Sequence, residues 1–432
     1  MMDSVENIVI PATVNYEGSI YKVTAIADKA FEDCSWLESV SIADGATSIG
    51  AFAFRSCSGL TSIVIPESVT EIGGESFADG SALKSIDLPS GIKMIDAFTL
   101  RGCTSLTSLT IPAGVTKIYE EAFGECTSLE SITISAGVTA ISEDAFNGCT
   151  ALASVSVDDN NPRYRSVDEI LYDRKEAALV FCPKAKEGSV SVPEGVKLIE
   201  SHAFSACVFV TRVSLPNSLE SIGFNAFVGC DLLASMIIPE GVKEIGPSAF
   251  CFCKDLRCIT ILASVTDIHS EAFLGCTAMV GIYVDENSQH FSSEDGLLYN
   301  KQQTQLISFP AGKIGSLNIP YGVMEIADRA LDYCPELTSI NVDDGNERFS
   351  SVDGILYSKD MTQLIRCPGA KTGEVTVPDG VKSIASYAFS GCTGLSALTL
   401  PYGIEGIGYA AFDGLTQFDN LPASESAEEI GN

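Results

Sequence analysis

The chain has 432 residues, 46% of them hydrophobic and 19% charged, so it holds material for a large core and lacks the composition of a disordered chain. Its 26 Lys and Arg stand against 57 Asp and Glu, and the net charge of −31 repels nucleic acid and anionic membrane surfaces while leaving proteins, sugars and cations as partners. With three histidines and one tryptophan there is little for a His-rich metal site, and no apolar run approaches the roughly 18 residues a membrane helix needs.

The N-terminus, MMDSVENIVIPATV, has no basic region and no long apolar stretch, so it does not read as a signal peptide. Residues 1–30 read as an irregular first coil, with Pro11 twenty residues before Phe31. From there a register sets in. Phe31, Phe54, Phe77, Leu100, Phe123 and Phe146 are 23 apart, as are Phe204, Phe227, Phe250 and Phe273; Leu331, Phe389 and Phe412 continue the series. Nine steps of 23 and three of 58 span the 381 residues from Phe31 to Phe412. Cys34, Cys57, Cys103, Cys126 and Cys149, then Cys207, Cys230, Cys253 and Cys276, then Cys334 and Cys392, keep the same register. A fixed period of this length marks a solenoid, because a single unit cannot bury its own apolar edge and stacked units can.

One unit, GVTKIYEEAFGECTSLESITIS from Gly114 to Ser135, shows the parts. Leu-x-x-Ile-x-Ile ends in alternation and predicts a short strand with one buried face. Pro66, Pro89, Pro112, Pro216, Pro239 and Pro401 close it, each eleven before the register residue. Val-x-x-Ile predicts a second short extended piece. Glu-Ala-Phe-x-x-Cys predicts one helical or 3₁₀ turn.

The pattern resembles the BspA-like (treponemal-type) leucine-rich repeat, over about residues 8–415. The resemblance implies a curved solenoid with a parallel sheet on one face, mostly β with short helical turns. It also implies a secreted or surface protein of a host-associated bacterium, several of its kind being adhesins.

The three 58-residue steps share a second pattern, starting at Val157, Val284 and Val342. Asp168, Asp295 and Asp353 are eleven residues on, Tyr172, Tyr299 and Tyr357 fifteen, and Pro183, Pro310 and Pro368 twenty-six. Ile-Leu-Tyr, a polar turn and Leu-Ile/Val predict a β-hairpin within each 35-residue insertion. The array thus reads as repeats over 31–157, 193–284, 320–342 and 378–415. Hairpin insertions occupy 158–192, 285–319 and 343–377, and a polar, frayed tail covers 416–432, all in one continuous solenoid.

Candidate chemistry is sparse. The register cysteines read as small buried thiols, since Gly80 and Leu415 take the same slot; disulfides between neighbouring coils are the alternative. Cys251, Cys253 and Cys258 lack the paired spacing and fourth ligand of a zinc site. Asp158-Asp159-Asn160, Asp285-Glu286-Asn287 and Asp343-Asp344 with Asn346 are oxygen-rich and suit calcium or simple Asx turns. His202, His269 and His290 hold unrelated slots, and no nucleophile elbow, Walker loop or dinucleotide fingerprint occurs, so no enzyme, cofactor or metal is expected.

The outer strand face differs along the chain. Ser39, Ser62, Ser85, Ser108, Ser131 and Ser154 form a small, neutral ladder; Arg212, Ile237, Tyr283 and Asn341 replace small groups later and are the candidate ligand-binding residues. The expected function is a secreted or cell-surface binding protein, monomeric and without membrane insertion, that mediates protein or matrix adhesion by taking a protein or glycan on a solenoid face. The alternative is a structural spacer displaying another module at the cell surface.

Overall fold

The computed structural model describes residues 6–416 and Phe418; the predicted polar tail otherwise lies outside them. The chain forms two compact units, Met1–Glu187 with Leu198–Cys207, and Gly188–Lys197 with Val208–Asn432. Both are β-solenoids built by the same rule.

A regular coil lays down two short strands, except that the coil with Ser85 and Asp87 forms only the second. In the first unit Ser39–Ile42 pairs in parallel with Asn7–Ile10 and Ser62–Val64, and Ser108–Thr110, Ser131–Ile134 and Ser154–Val157 form a second parallel sheet. Val40 and Ile42 are buried while Ser39 and Ser41 face outward, as the alternation requires. The Val-x-x-Ile pieces form a second ladder, Ala25–Ile26 with Ser48–Ile49 and Glu71–Ile72, then Met94–Ile95 with Lys117–Ile118 and Ala140–Ile141. Before the regular coils, Thr13–Tyr16 and Ser19–Lys22 form an exposed hairpin over Glu17-Gly18, both at positive φ. In the second unit Ser235–Ile238, Cys258–Ile261 and Gly281–Val284 form one parallel sheet. Gly188–Ser191 pairs with Val210–Ser214, Gly315–Ile319 with Leu337–Val342, and Gly373–Thr376 with Leu395–Thr399.

The core is a stack of identical side chains. The rings of Phe31 and Phe54 lie 5.1 Å apart and those of Phe54 and Phe77 5.7 Å, each pair within 2° of parallel. Phe227, Phe250 and Phe273 continue the motif in the second unit at 5.0 and 5.9 Å. Each fully buried Phe contributes roughly 1.5–3 kcal/mol by area alone. Beside the rings runs a ladder of thiols: Cys103 donates to the Phe77 carbonyl at 3.3 Å, Cys126 to that of Leu100 at 3.1 Å and Cys149 to that of Phe123 at 3.0 Å. All fifteen cysteines are free, and all but Cys34 and Cys258 are buried.

The predicted helical turn does not form; among the described residues there is no helix. The backbone explains why. Phe52 and Ser56, two residues either side of Phe54, sit at φ 60° and 56°, and Glu75 and Asp79 do the same around Phe77. A left-handed residue on each side of the ring interrupts the run of right-handed residues a helix needs, at roughly 1–2 kcal/mol for each non-glycine. The return is a ladder between coils. Phe52, Phe54 and Ser56 donate their N–H groups to the carbonyls of Gly74, Ser76 and Ala78 in the next coil at 3.1, 2.8 and 2.8 Å, while Arg55 and Cys57 close local turns onto Phe52 and Phe54.

The insertions are three-stranded. In the first, Tyr164–Val167, Ile170–Asp173 and Ala178–Phe181 form an antiparallel meander, and Ala178–Phe181 then joins Leu198–Ile199 in parallel, re-entering the repeat ladder. The hairpin read from Ile-Leu-Tyr is its second half. The other two insertions repeat this with Phe291–Glu294, Leu297–Asn300 and Gln305–Ser308, and with Phe349–Val352, Ile355–Ser358 and Gln363–Arg366. The leading turn is Asp168-Glu169, Asp295-Gly296 or Asp353-Gly354, both residues at positive φ, the type I′ geometry that matches strand twist. Lys186 and Lys313 clamp it, donating to the Asp168 and Asp295 carbonyls at 2.9 and 2.8 Å, and Lys371 does the same at Asp353.

Candidate functional site

The strand face carries the residues singled out from the sequence. Arg212, Ile237, Tyr283 and Asn341 are all exposed, in the second unit. Ile237, Thr260 and Tyr283 are paired in register across three adjacent strands, so the apolar side chain and the ring share one row. Tyr283 lies back over Gly281, where any Cβ would meet its hydroxyl at 2.6 Å. Arg212 belongs to the neighbouring row, two positions back in the repeat, in the slot of Ser235, Cys258 and Gly281. Asn341 stands apart from the other three. The insertion turn caps the Gly281–Val284 strand, Ile282 donating to the Gly296 carbonyl at 2.8 Å, and the sheet restarts beyond it. Asn341 there donates to the side-chain oxygen of Asn318 at 2.9 Å. The structure thus joins Ile237 and Tyr283, sets Arg212 beside their row and separates Asn341.

The oxygen-rich loops are Asx turns. Asp158 accepts from the Asn160 N–H at 2.8 Å, Asp285 from that of Asn287 at 2.8 Å and Asp343 from that of Gly345 at 2.8 Å. Asn161 and Asn346 are buried and span two coils, each donating to two carbonyls and accepting two N–H groups. Cys253 is tied into the thiol ladder through the Phe227 carbonyl, and Cys251 points to the Glu271 carbonyl. Burial pushes the Cys57, Cys103 and Cys334 thiols up to about 12, a range in which they are neutral at physiological pH and poor nucleophiles.

A second site appears at the third insertion. A cavity of about 630 Å³ opens there, in the size range of small-molecule pockets. Three of the chain's ten arginines, Arg329, Arg348 and Arg366, line it. Arg366 and Asp332 pair at 2.8 Å with side chains only 6% and 8% exposed. Arg329 reaches the other Asp332 oxygen at 3.0 Å and lies 4.6 Å over the Tyr387 ring. Burial pulls the Arg329 guanidinium down, but the hydrogen bond and charge of Asp332 leave it above its ordinary value. Arg348 is exposed on the rim. Sequence reasoning missed this cluster, though a signal existed. A shift of 185 residues lays the first insertion on the third, and it puts Arg366 on Phe181 and Asp332 on Asn147. A charge in an aromatic core slot is visible once the insertions are aligned.

Among the described residues no helix is long and apolar enough to cross a membrane. A family model for the BspA type leucine rich repeat region matches six copies over residues 24–159, 179–303 and 368–432. A solved leucine rich cell surface protein from Faecalibacterium prausnitzii is 32% identical, over 65% of this chain and 88% of that one, with a TM-score of 0.50. A leucine-rich repeat protein from Bacteroides ovatus is 25% identical over 95% and 85%, with a TM-score of 0.50. The pneumococcal vaccine antigen PcpA shares the fold at 19% identity, over 92% and 89%, with a TM-score of 0.58. No curated protein matches the chain. With its register residues stacked as the repeat requires and the family model matched over most of its length, the chain belongs to the BspA-type leucine-rich repeat family.

Proposed function

We propose that this chain is a cell-surface or secreted binding protein that attaches to a protein or glycan of a host or its matrix through the outer strand face. The observation that carries the reading is the row of Ile237, Thr260 and Tyr283. An aliphatic side chain 63% exposed and a ring 48% exposed stand in register on an open sheet, where the first unit's two sheets show Val9, Ser41 and Val64 and then Thr110, Thr133 and Ser156, none of them aromatic. Exposed aromatic and aliphatic groups on a rigid sheet lose little entropy on binding and form good contact centres. The similar Faecalibacterium protein is a leucine rich cell surface protein, which supports the location. The thiols, tied up in the core, and the scattered histidines favour a binding module over an enzyme.

The test is a screen of the purified chain against immobilised matrix proteins and glycans, at low and high salt and with and without calcium. The expected result is a saturable ligand whose binding falls about tenfold or more in Ile237→Ser or Tyr283→Ala, and less in Arg212→Ala. A ligand indifferent to all three substitutions removes the strand face from the proposal. A screen with no reproducible ligand favours the spacer instead.

A further inference from the structure

The cavity at the third insertion has a counterpart whose contents show what it lacks. In the first insertion Arg163 is satisfied internally: its Nε donates to Asp173 at 2.7 Å and its Nη1 to the Thr139 carbonyl at 2.8 Å. Glu200 carries a second carboxylate into the same neighbourhood, close enough for Arg163 and Asp173 both to act on its charge. The same 185-residue shift places Arg348 on Arg163, Ser358 on Asp173 and Ala385 on Glu200. The third insertion therefore keeps the guanidinium and loses both carboxylates. Ser358 turns its hydroxyl to Asp360 at 2.7 Å, and Arg348 and Ala385 face the cavity.

Other exchanges run the opposite way. Glu325 and Gln363 line the cavity where the first insertion has Ala140 and Ala178. Asp328 and Ser386, which match Glu143 and Ser201 of the first insertion, line it too, and Asp328 with Glu271 and Asp332 gives the cavity carboxylates of its own, at positions other than those of Asp173 and Glu200 in the sequence alignment. Phe349, Ile365 and the Tyr387 ring supply an apolar wall. A guanidinium without its carboxylate, hydroxyl-binding side chains in place of alanines and a partly aromatic wall describe one ligand chemistry: a hydroxylated ring bearing a single carboxylate. The chain's net charge opposes an anion at long range, but that field is screened beyond about 8 Å at physiological ionic strength.

We propose that the third-insertion cavity binds a hexuronic acid, its carboxylate taking the place at Arg348 that Asp173 and Glu200 occupy at Arg163. This goes beyond the strand-face reading and does not rest on it.

Calorimetric titration of the full chain with D-glucuronate and D-galacturonate tests it, with D-glucose and acetate as partial probes. The expected result is saturable binding of a uronate and none of glucose. Arg348→Ala weakens it at least about tenfold, and so does Ala385→Glu, which returns the carboxylate of the first insertion to the cavity. Arg348 is exposed, so Arg348→Ala keeps the parent's circular dichroism and melting profile, and Ala385→Glu, at a half-buried position, is read only where circular dichroism shows it folded. Ile237→Ser and Tyr283→Ala leave uronate binding unchanged, which separates this site from the strand face. No saturable binding by the folded chain, or binding unaffected by either cavity substitution, overturns the proposal. Acetate binding as tightly as the uronates overturns its sugar component.

Discussion

The first and third insertions share a backbone and differ in what fills it. In the first, Phe181 joins the aromatic ladder, its ring 5.1 Å from Phe146, and the single arginine of the site is neutralised by Asp173. In the third, Leu331 and Arg366 stand in the two ring positions, and the core is closed by ion pairs to Asp332. The middle insertion has Ser308 in this slot. A leucine-rich solenoid thus tolerates a change of core chemistry at an insertion, because each coil contacts only its neighbours and a local substitution does not propagate. The comparison also separates scaffold from site. Features shared by all three insertions, such as the type I′ turn and its lysine clamp, hold the meander. Features found in one are where specificity can reside.

The largest expected effect breaks the third insertion's core. Asp332→Ala removes the carboxylate that Arg366 and Arg329 share; Arg329 keeps Glu271 at 3.8 Å, but the buried Arg366 guanidinium loses its ion pair, at about 3–5 kcal/mol. Restoring the first insertion's chemistry reverses this: Asp332→Asn with Arg366→Phe should be at least as stable as the parent, since replacing a buried pair by apolar packing is neutral or gains up to about 4 kcal/mol. Phe181→Ala in the first insertion should cost a similar 3–5 kcal/mol. Urea denaturation read by circular dichroism checks all three. If Asp332→Ala costs less than about 1 kcal/mol, the pair is not what closes this core.

Asp173→Ser imposes the third insertion's residue on the first. Asp173 accepts Arg163 at 2.7 Å and the N–H groups of Lys175 and Glu176 at 2.8 and 3.0 Å, with its side chain 2% exposed. Losing these bonds should cost about 1–3 kcal/mol. A loss near zero would mean that the Arg163 contact to the Thr139 carbonyl suffices, and the contrast with Arg348 would lose its force.

The thiol ladder sets the baseline against which both insertions are judged. Cys126→Ala removes a buried group and its bond to the Leu100 carbonyl and should cost about 1–2 kcal/mol. Cys258→Ala, half-buried on the strand face, should stay within about 0.5 kcal/mol. A thiol reagent at neutral pH should label Cys34 and Cys258 in the native chain and the others only after unfolding, which mass spectrometry resolves.

What the sequence disclosed follows from how the fold repeats. The 23-residue register, the buried alternation of Val40 and Ile42 and the Phe stack were legible because each is written many times over. The left-handed residues around each Phe were not. Phe52, Glu75 and Glu121 carry no local preference for positive φ, and only the hydrogen bonds to the next coil impose it. The strand face was legible position by position, yet its rows were not: Arg212 and Ile237 differ by 25 residues and so cannot share a row of period 23. The cavity arginines were hidden for the opposite reason, since Arg366 and Ser358 each occur once and gain meaning only against Phe181 and Asp173.

The smallest effect sharpens the comparison at Glu200, the carboxylate that Ala385 replaces. Burial raises the Glu200 pKa, the negative charge of Asp173 raises it further, and Arg163 offsets part of both. In the unfolded chain this group titrates near about 4.3. A native value above that means the folded protein holds the proton more tightly than the unfolded one. Its contribution to stability is therefore fully present below about pH 4.3 and is lost as the pH rises through the native value. At neutral pH the ionised carboxylate is a net cost that Glu200→Gln removes. The variant should melt slightly above the parent at pH 7, and the difference should close as the pH falls to about 4. A variant that melts lower at pH 7 would show that attraction to Arg163 outweighs burial. The first insertion would then be held together by its charge cluster, and the loss of both carboxylates in the third would be a loss of stability as well as an opening for a ligand.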